Sequence, residues 1–345
     1  SNTLLNQLID QAGDVRNYGM SADFSEPMNK KISISANYSY SNREDIIERI
    51  VYDYDLGTTR YDLLNNELSR NLQNFNESHS IALRATYKPS DKLTFTLNGT
   101  QKYVVLEGKN VMSNQNLATD YLLFEPNFTL SYKINKVSSL SANGSRYNYT
   151  PSVSQLQPLT DNSNPLYITT GNPELRPSTD NNFSLNYNRF NPTSASSINA
   201  GLNFYMSENR IINNSILAPK TGIQTTFYDN IDGAYNFSAR LGGSFRIKSL
   251  GLTFNPNVNV GRAKNVSFLN QERVSSNSTS LGVGTSVNYA LGTDLQFSNR
   301  ISATFREVAF NYNNLADQNF TSIFNSLSLN AALPYELRFI LTSNV

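Results

Sequence analysis

The chain has no cysteine, no tryptophan, a single histidine and no Met at its first position. Without cysteine there is neither a disulfide framework nor a thiolate metal site. Lys and Arg (28) nearly balance Asp and Glu (27), and no basic cluster stands out, so nucleic acid is excluded as a partner. No stretch approaches the roughly 18 consecutive apolar residues that a spanning helix needs. Phosphate loops, dinucleotide fingerprints and zinc spacings are all missing, and no cofactor is implied. A secretory leader is also missing, so the expectation is a cleaved leader or a piece of a longer protein.

What is present is period-2 alternation. Of 345 residues, 39% are hydrophobic and only 16% charged, and Asn, Ser and Thr fill the gap. Tyr (20) and Phe (19) are abundant. Ile81, Leu83, Ala85 and Tyr87 share one face, with Ala82, Arg84, Thr86 and Lys88 on the other. The same holds for Leu93, Phe95 and Leu97 against Thr94, Thr96 and Asn98, and for Tyr235 to Phe245 against Asn236 to Arg246. Most such segments run about nine to twelve residues, the length of a tilted strand that crosses a bilayer, whereas soluble strands average about five or six.

Connections between these segments alternate strictly in length. Short ones lie at Pro27–Lys31, Lys88–Lys92, Ile134–Val137, Phe190–Ser196, Ile247–Leu250, Ala290–Asp294 and Leu333–Glu336. Long ones lie near 42–76, 103–122, 147–180, 206–232, 262–278 and 306–320. Tight turns at one end and long loops at the other describe an all-β, antiparallel up-and-down transmembrane barrel of about fourteen strands, with its long loops facing the outside of a bacterial outer membrane. The strands are expected at 17–26, 31–41, 76–88, 91–103, 120–134, 137–149, 179–190, 196–207, 224–247, 250–262, 278–290, 294–306, 320–333 and 336–345, with 46–55 left to a long loop. Just before most short turns the apolar face carries an aromatic: Phe24, Tyr87, Tyr132, Tyr187, Phe245 and Tyr289. That shared position predicts an aromatic girdle in contact with outer-membrane lipid.

Candidates for bond chemistry are few. His79 is flanked by Ser78 and Ser80, which alternate to the opposite face, so no Ser–His pair forms on one face and a loop-end histidine is expected. Asp53 and Asp55, and the group Asp161, Asn162 and Asn164, are oxygen-rich but lack the spacing of a calcium loop. They read as turn residues. No catalytic and no metal-binding residue is expected, and the chain is read as a non-enzyme.

The longest ordered-looking loop ends in Gly171-Asn172-Pro173-Glu174-Leu175-Arg176-Pro177 and leads into Asn181-Asn182-Phe183-Ser184-Leu185-Asn186-Tyr187. By turn chemistry alone it is a rigid loop entering a strand, because Pro fixes φ and Gly and Asn tolerate positive φ. The run also resembles the Asn-Pro-x-Leu-x-Pro-Glu element of TonB-dependent outer-membrane receptors. The preceding Asn164-Pro165-Leu166-Tyr167 is similar to their receptor-like "outer membrane protein β-barrel" branch. Ser178 departs from the Glu usual in the wider family. The resemblance makes Gly171, Asn172, Pro173, Leu175 and Pro177 structural motif residues. It implies energy-coupled uptake of a bulky nutrient such as a siderophore, glycan or peptide. It further implies a TonB-type coupling complex acting through a plug, and a surface lipoprotein as a potential partner. A full receptor of that family has a plug and twenty-two strands, so residues 1–345 are expected to be one partial barrel domain without the plug. A passive pore or structural barrel is the alternative.

Overall fold

The computed structural model describes residues 6–66, 68–112, 114–158, 160–164, 166–291, 295–312, 315–332 and 338–344. Its strands are, in order, β1 (Gln7–Pro27), β2 (Ile32–Asp55), β3 (Arg60–Leu64), β4 (Arg70–Ser90), β5 (Leu93–Asn110), β6 (Gln115–Lys133) and β7 (Ser138–Tyr149). The helical turn α1 (Val153–Leu156) follows, then β8 (Thr160–Asn164), β9 (Tyr167–Thr170), β10 (Ser178–Asn191), β11 (Ser196–Glu208), β12 (Arg210–Leu217) and β13 (Gln224–Ile231). The chain continues through β14 (Ala234–Ile247), β15 (Leu252–Leu269), β16 (Glu272–Leu291), β17 (Leu295–Phe310), β18 (Gln318–Ala332) and β19 (Arg338–Asn344). Fourteen of these form one antiparallel path, β1-β2-β4-β5-β6-β7-β10-β11-β14-β15-β16-β17-β18-β19, with β3 paired to β2. The expected strand count and order are borne out. The short turns expected at Ala290–Asp294 and Leu333–Glu336 include residues 292–294 and 333–336, which lie outside the described set, as do Pro165 and Val345.

Strand lengths depart from the expectation. The segment 46–55 is not a loop: β2 runs unbroken through it and pairs with both β1 and β4. The presumed long loops at 103–122 and 262–278 are mostly ladder, with pairing up to Asn110↔Gln115 and Leu269↔Glu272. The strand expected at 224–247 is two strands, since β13 leaves the main path and joins a second, four-stranded sheet β12-β13-β9-β8. At about 3.3 Å per residue, the 24 residues of β2 span about 80 Å, against the 9–11 residues that cross a bilayer. Roughly half of β2 therefore projects beyond the membrane. The projecting end of the barrel, which also carries α1 and the small sheet, is its mouth.

Register explains why these extensions escape the apolar pattern. Directly paired residues share a face. One ladder row runs Leu93, Tyr132, Leu140, Tyr187, Ala200, Leu241, Val258, Val283, Ala303, all apolar or aromatic. On the opposite face a row runs Thr86, Thr96, Thr129, Asn143, Ser184, Asn203, Ser238, all polar. Apolar-out, polar-in alternation is the rule of a membrane barrel. Leu122, Phe124, Pro126, Phe128, Leu130 and Tyr132 lie on the outer face of β6. Ten residue steps make about 33 Å along the strand at about 3.3 Å each, or about 25 Å of membrane depth at a tilt of about 40°. Above that band the pattern inverts. On β5 the inner residues Val104 and Leu106 are buried, and the outer positions become Glu107 and Lys109.

Candidate functional site

The inner wall of the barrel is a lattice of hydroxyls and amides. Thr86 and Thr96 hydroxyls meet at 3.2 Å, and the Asn203 amide donates to Ser238 Oγ at 3.5 Å. Charged groups on this wall are held by neighbours. Glu125 is buried and pairs with Lys102 at 2.7 Å. Its other oxygen accepts the Asn148 N–H at 2.9 Å, where β7 parts from β6. Arg240 donates to Asn186 Oδ1 and the Tyr205 hydroxyl to Asp180, each at 2.9 Å. Higher up, hydrogen bonds from Arg43 to both Asp45 oxygens, and the carboxylate charge, push that guanidinium above its ordinary value.

The described residues between 151 and 177 fold back into the mouth as a strap. Its helical turn α1 is capped by a reciprocal pair, with Ser152 Oγ accepting the Gln155 N–H and Gln155 Oε1 accepting the Ser152 N–H. This Ser-x-x-Gln capping box was legible in the sequence and is the signal that could have located α1. Val153 and Leu156 from α1, with Leu175, pack on the inner faces of Val104, Leu106 and Leu123. Glycine is required at two contacts: a Cβ on Gly171 would overlap the Gln157 carbonyl, and one on Gly108 would overlap Gln157 and Val153.

The motif Gly171–Pro177 ties three elements together. The Asn172 N–H donates to Gln155 O at 2.7 Å, and its side-chain amide donates to Tyr228 O at 3.0 Å. Asn172 Oδ1 accepts the Glu174 N–H at 2.9 Å, an Asx turn that Pro173 prepares. The Leu175 carbonyl accepts from Tyr121 at 3.2 Å, and Asn230 clasps Arg176 by its N–H (2.8 Å) and its carbonyl (3.0 Å). Sequence reasoning found the motif but not its partners Tyr121, Tyr228 and Asn230, which stand about 50 residues away in the chain and join it only through the fold.

Two cavities open on the inner wall near the mouth. One, of about 520 Å³, lies under α1 between Arg43, Asp45, Asn74 and Ser152. The other, of about 340 Å³, lies between β7, β10, β11 and β14 and is lined by Asn143, Asn182, Asn203, Tyr205 and Asn236.

The six aromatics expected to form a girdle all fall on the outer face. Phe24, Tyr87, Tyr132 and Phe245 are exposed there, and Tyr187 and Tyr289 half-buried. His79 is not at a loop end. It sits inside β4, on the outer face, because the strand extends to Arg70. Tyr38 OH lies 2.9 Å from its Nδ1 and Glu77 2.9 Å from its Nε2, with the Tyr40 ring 4.9 Å away. Asp53 and Asp55 lie in β2 rather than a loop; they accept Gln7 and Asn65, and the Gly57 N–H, respectively. Among the described residues no three His, Cys, Asp or Glu side chains converge as a metal site, and the side chains of Asp161 and Asn162 lie outside that set.

The ladder, the two-faced strands and the polar wall define a transmembrane β-barrel of the bacterial outer membrane. The model of the outer membrane protein beta-barrel family matches residues 1–323, and the chain belongs to that family. No curated protein matches it in sequence. Among solved structures it is similar to the FrpB iron transporter from Neisseria meningitidis (F5-1 variant), at 13% identity and TM-score 0.56, over 96% of this chain and 51% of that one. It is also similar to the copper transporter OprC, at 9% identity and TM-score 0.52, over 85% of this chain and 51% of that one. At such identities the likeness is one of fold, and the chain spans about half the length of both proteins.

Proposed function

We propose that residues 1–345 are the barrel portion of an energy-coupled outer-membrane receptor that imports a bulky nutrient and does no bond chemistry. The strap carries this reading. A passive pore needs an open lumen, whereas this barrel keeps residues 151–177 folded against its inner wall, anchored by Leu175 and the Asn172 and Asn230 hydrogen bonds. The fold shared with iron and copper transporters supports it. So does the placement of the only histidine on the outer face, away from the lumen. In this reading the Phe24, Tyr87, Tyr132, Tyr187, Phe245 and Tyr289 girdle anchors the inner rim of the barrel in lipid. The Gly171–Pro177 motif locks the strap, and coupling comes from a TonB-type complex acting through a plug. A surface lipoprotein is a candidate partner at the mouth. Uptake by a deletion strain, with and without a protonophore, tests the proposal. Loss of uptake of one nutrient class on deletion and on de-energisation is expected. Uptake that survives the protonophore, together with a steady open current from the full-length protein in planar bilayers, would establish a passive pore instead.

A further inference from the structure

The 340 Å³ cavity on the inner wall has a composition that selects a ligand. Its inward side chains are the amides of Asn143, Asn182, Asn203 and Asn236, the phenol of Tyr205 and the hydroxyls of Ser184 and Ser238. Phe183 and Phe204 also border it, but ladder register turns their side chains to the outer face. No Lys, Arg, Asp or Glu lines it. On the adjoining wall Asp180 accepts the Tyr205 hydroxyl and Arg240 donates to Asn186, one charge of each sign, so the cavity has no net cation beside it. Asn203 reaches Ser238, whereas the amides of Asn143, Asn182 and Asn236 have no protein partner among the described residues and are exposed to the lumen.

Each free amide offers two donors and two acceptor lone pairs. Three of them in one small cavity match a ligand whose groups both donate and accept, at high density and without charge. That is the chemistry of sugar hydroxyls. An anionic chelate would lose hydration here and gain no cation, which is costly. A peptide is read through pockets for its side chains or through a free strand edge, and this wall supplies neither, because β10 and β11 are paired on both sides. Tyr205 gives a ring face for the C–H side of a sugar. On β7, above the cavity, Tyr147 and Tyr149 point inward with 45% and 56% of their surface exposed and extend that aromatic ledge toward the mouth. The volume falls within the lower part of the range of ligand sites, about 300–1,000 Å³.

From this geometry we infer that the cavity between β7, β10, β11 and β14 is a subsite for a neutral oligosaccharide. The inference rests on the transport reading and names its substrate class. The test is calorimetric titration of the full-length protein in detergent micelles. The probes are neutral hexasaccharides of the glucan, fructan, xylan and mannan types, a ferric catecholate and an uncharged pentapeptide. At least one hexasaccharide is expected to bind. Asn182→Ala combined with Asn203→Ala is expected to weaken it at least tenfold, while Thr96→Ala, on the same wall but outside the cavity, leaves it unchanged. A heat-modifiable band on electrophoresis confirms that each variant remains a folded barrel. The inference is overturned if no hexasaccharide binds, if only the catecholate or the peptide binds, or if the double variant binds as the parent does. Micelles need no energy source, so hexasaccharide binding without energised uptake counts against the transport reading alone. Energised uptake of a charged chelate counts against the subsite alone.

Discussion

Leu175→Ala isolates the strap from the barrel. Leu175 is 3% exposed and closes an apolar cluster with Val104, Leu106, Leu123, Val153 and Leu156. Truncating a leucine in such a site costs about 2–5 kcal/mol, since the surroundings collapse only in part. Taking about 3 kcal/mol, with one decade per 1.4 kcal/mol, the docked strap loses about 150-fold against the undocked one. The loss is local, because β5 and β6 keep an unbroken ladder from Leu93↔Tyr132 to Asn110↔Gln115 whether or not the strap is seated. The readout is amide exchange. The N–H groups of Asn172 and Gln157, bonded to Gln155 O at 2.7 Å and Val153 O at 2.9 Å, report strap opening. They should exchange about 100-fold faster in the variant, while the amide of Phe128, inside the ladder, does not change. Leu166→Ala is the control, since Leu166 is 52% exposed and its truncation is worth no more than about 0.5 kcal/mol. Equal exchange in the two variants would refute the anchoring role of Leu175. Equal acceleration of strap and ladder amides would show that they open as one unit.

Other substitutions probe separate claims. Gly171→Ala places a methyl into the Gln157 carbonyl and should release the same strap amides with the ladder intact; wild-type exchange in that variant would contradict the close approach. Leu83 and Ala82 are neighbours on opposite faces of β4, with Leu83 59% exposed to the outside. In vesicle-based unfolding, Leu83→Arg should cost about 2–4 kcal/mol and Ala82→Arg less than about 1 kcal/mol. Similar costs would mean that the faces are assigned wrongly. Glu125→Ala removes the acceptor of the partly buried Asn148 N–H and should destabilise the β6–β7 fork by about 1 kcal/mol, read as faster exchange at Asn148, whereas Glu125→Gln keeps an acceptor and should be milder.

The fourteen strands were legible because lipid imposes one rule on every crossing. Alternation such as Leu93, Phe95, Leu97 against Thr94, Thr96, Asn98 cannot come from a helix, and tight turns such as Ile134–Val137 punctuate it. The true ends of the strands were not legible. On β5 the outer face carries apolar side chains up to Val105, apart from Gln101, and from Val104 the inner face turns apolar as well. A period-2 pattern that changes phase looks like the end of a strand, although the backbone ladder runs on. On β2 the register carries polar Asn42, Glu44 and Glu48 onto the outer face, so the same strand reads as a loop. His79 was misplaced for this reason. The motif Gly171–Pro177 was visible as turn chemistry, but its partners could not be, since Tyr121 and Asn230 carry no local sign of what they hold.

The phase change also explains why strap and strands need one another. Without the strap, Val104, Leu106 and Leu123 would face a wet lumen, at about 1.5–3 kcal/mol for each side chain left exposed. Without those strands, Val153, Leu156 and Leu175 would have nothing to bury against, and a four-residue helical turn does not stand alone in water. The two can be separated by deletion, since Tyr149 and Ser178 are direct ladder partners on β7 and β10, and a two-residue Asn-Gly turn can replace residues 150–177 between them. The shortened barrel is expected to assemble in micelles but to bind an apolar fluorescent dye on its inner wall. Adding Val104→Ser, Leu106→Ser and Leu123→Ser in the same background should abolish that signal, because the exposed patch is then polar. Those three changes in the full-length chain should instead loosen the strap and raise exchange at Asn172. A shortened barrel that binds no more dye than the parent would mean that the inverted inner face is covered by something other than the strap, and the mutual burial argued here would fail.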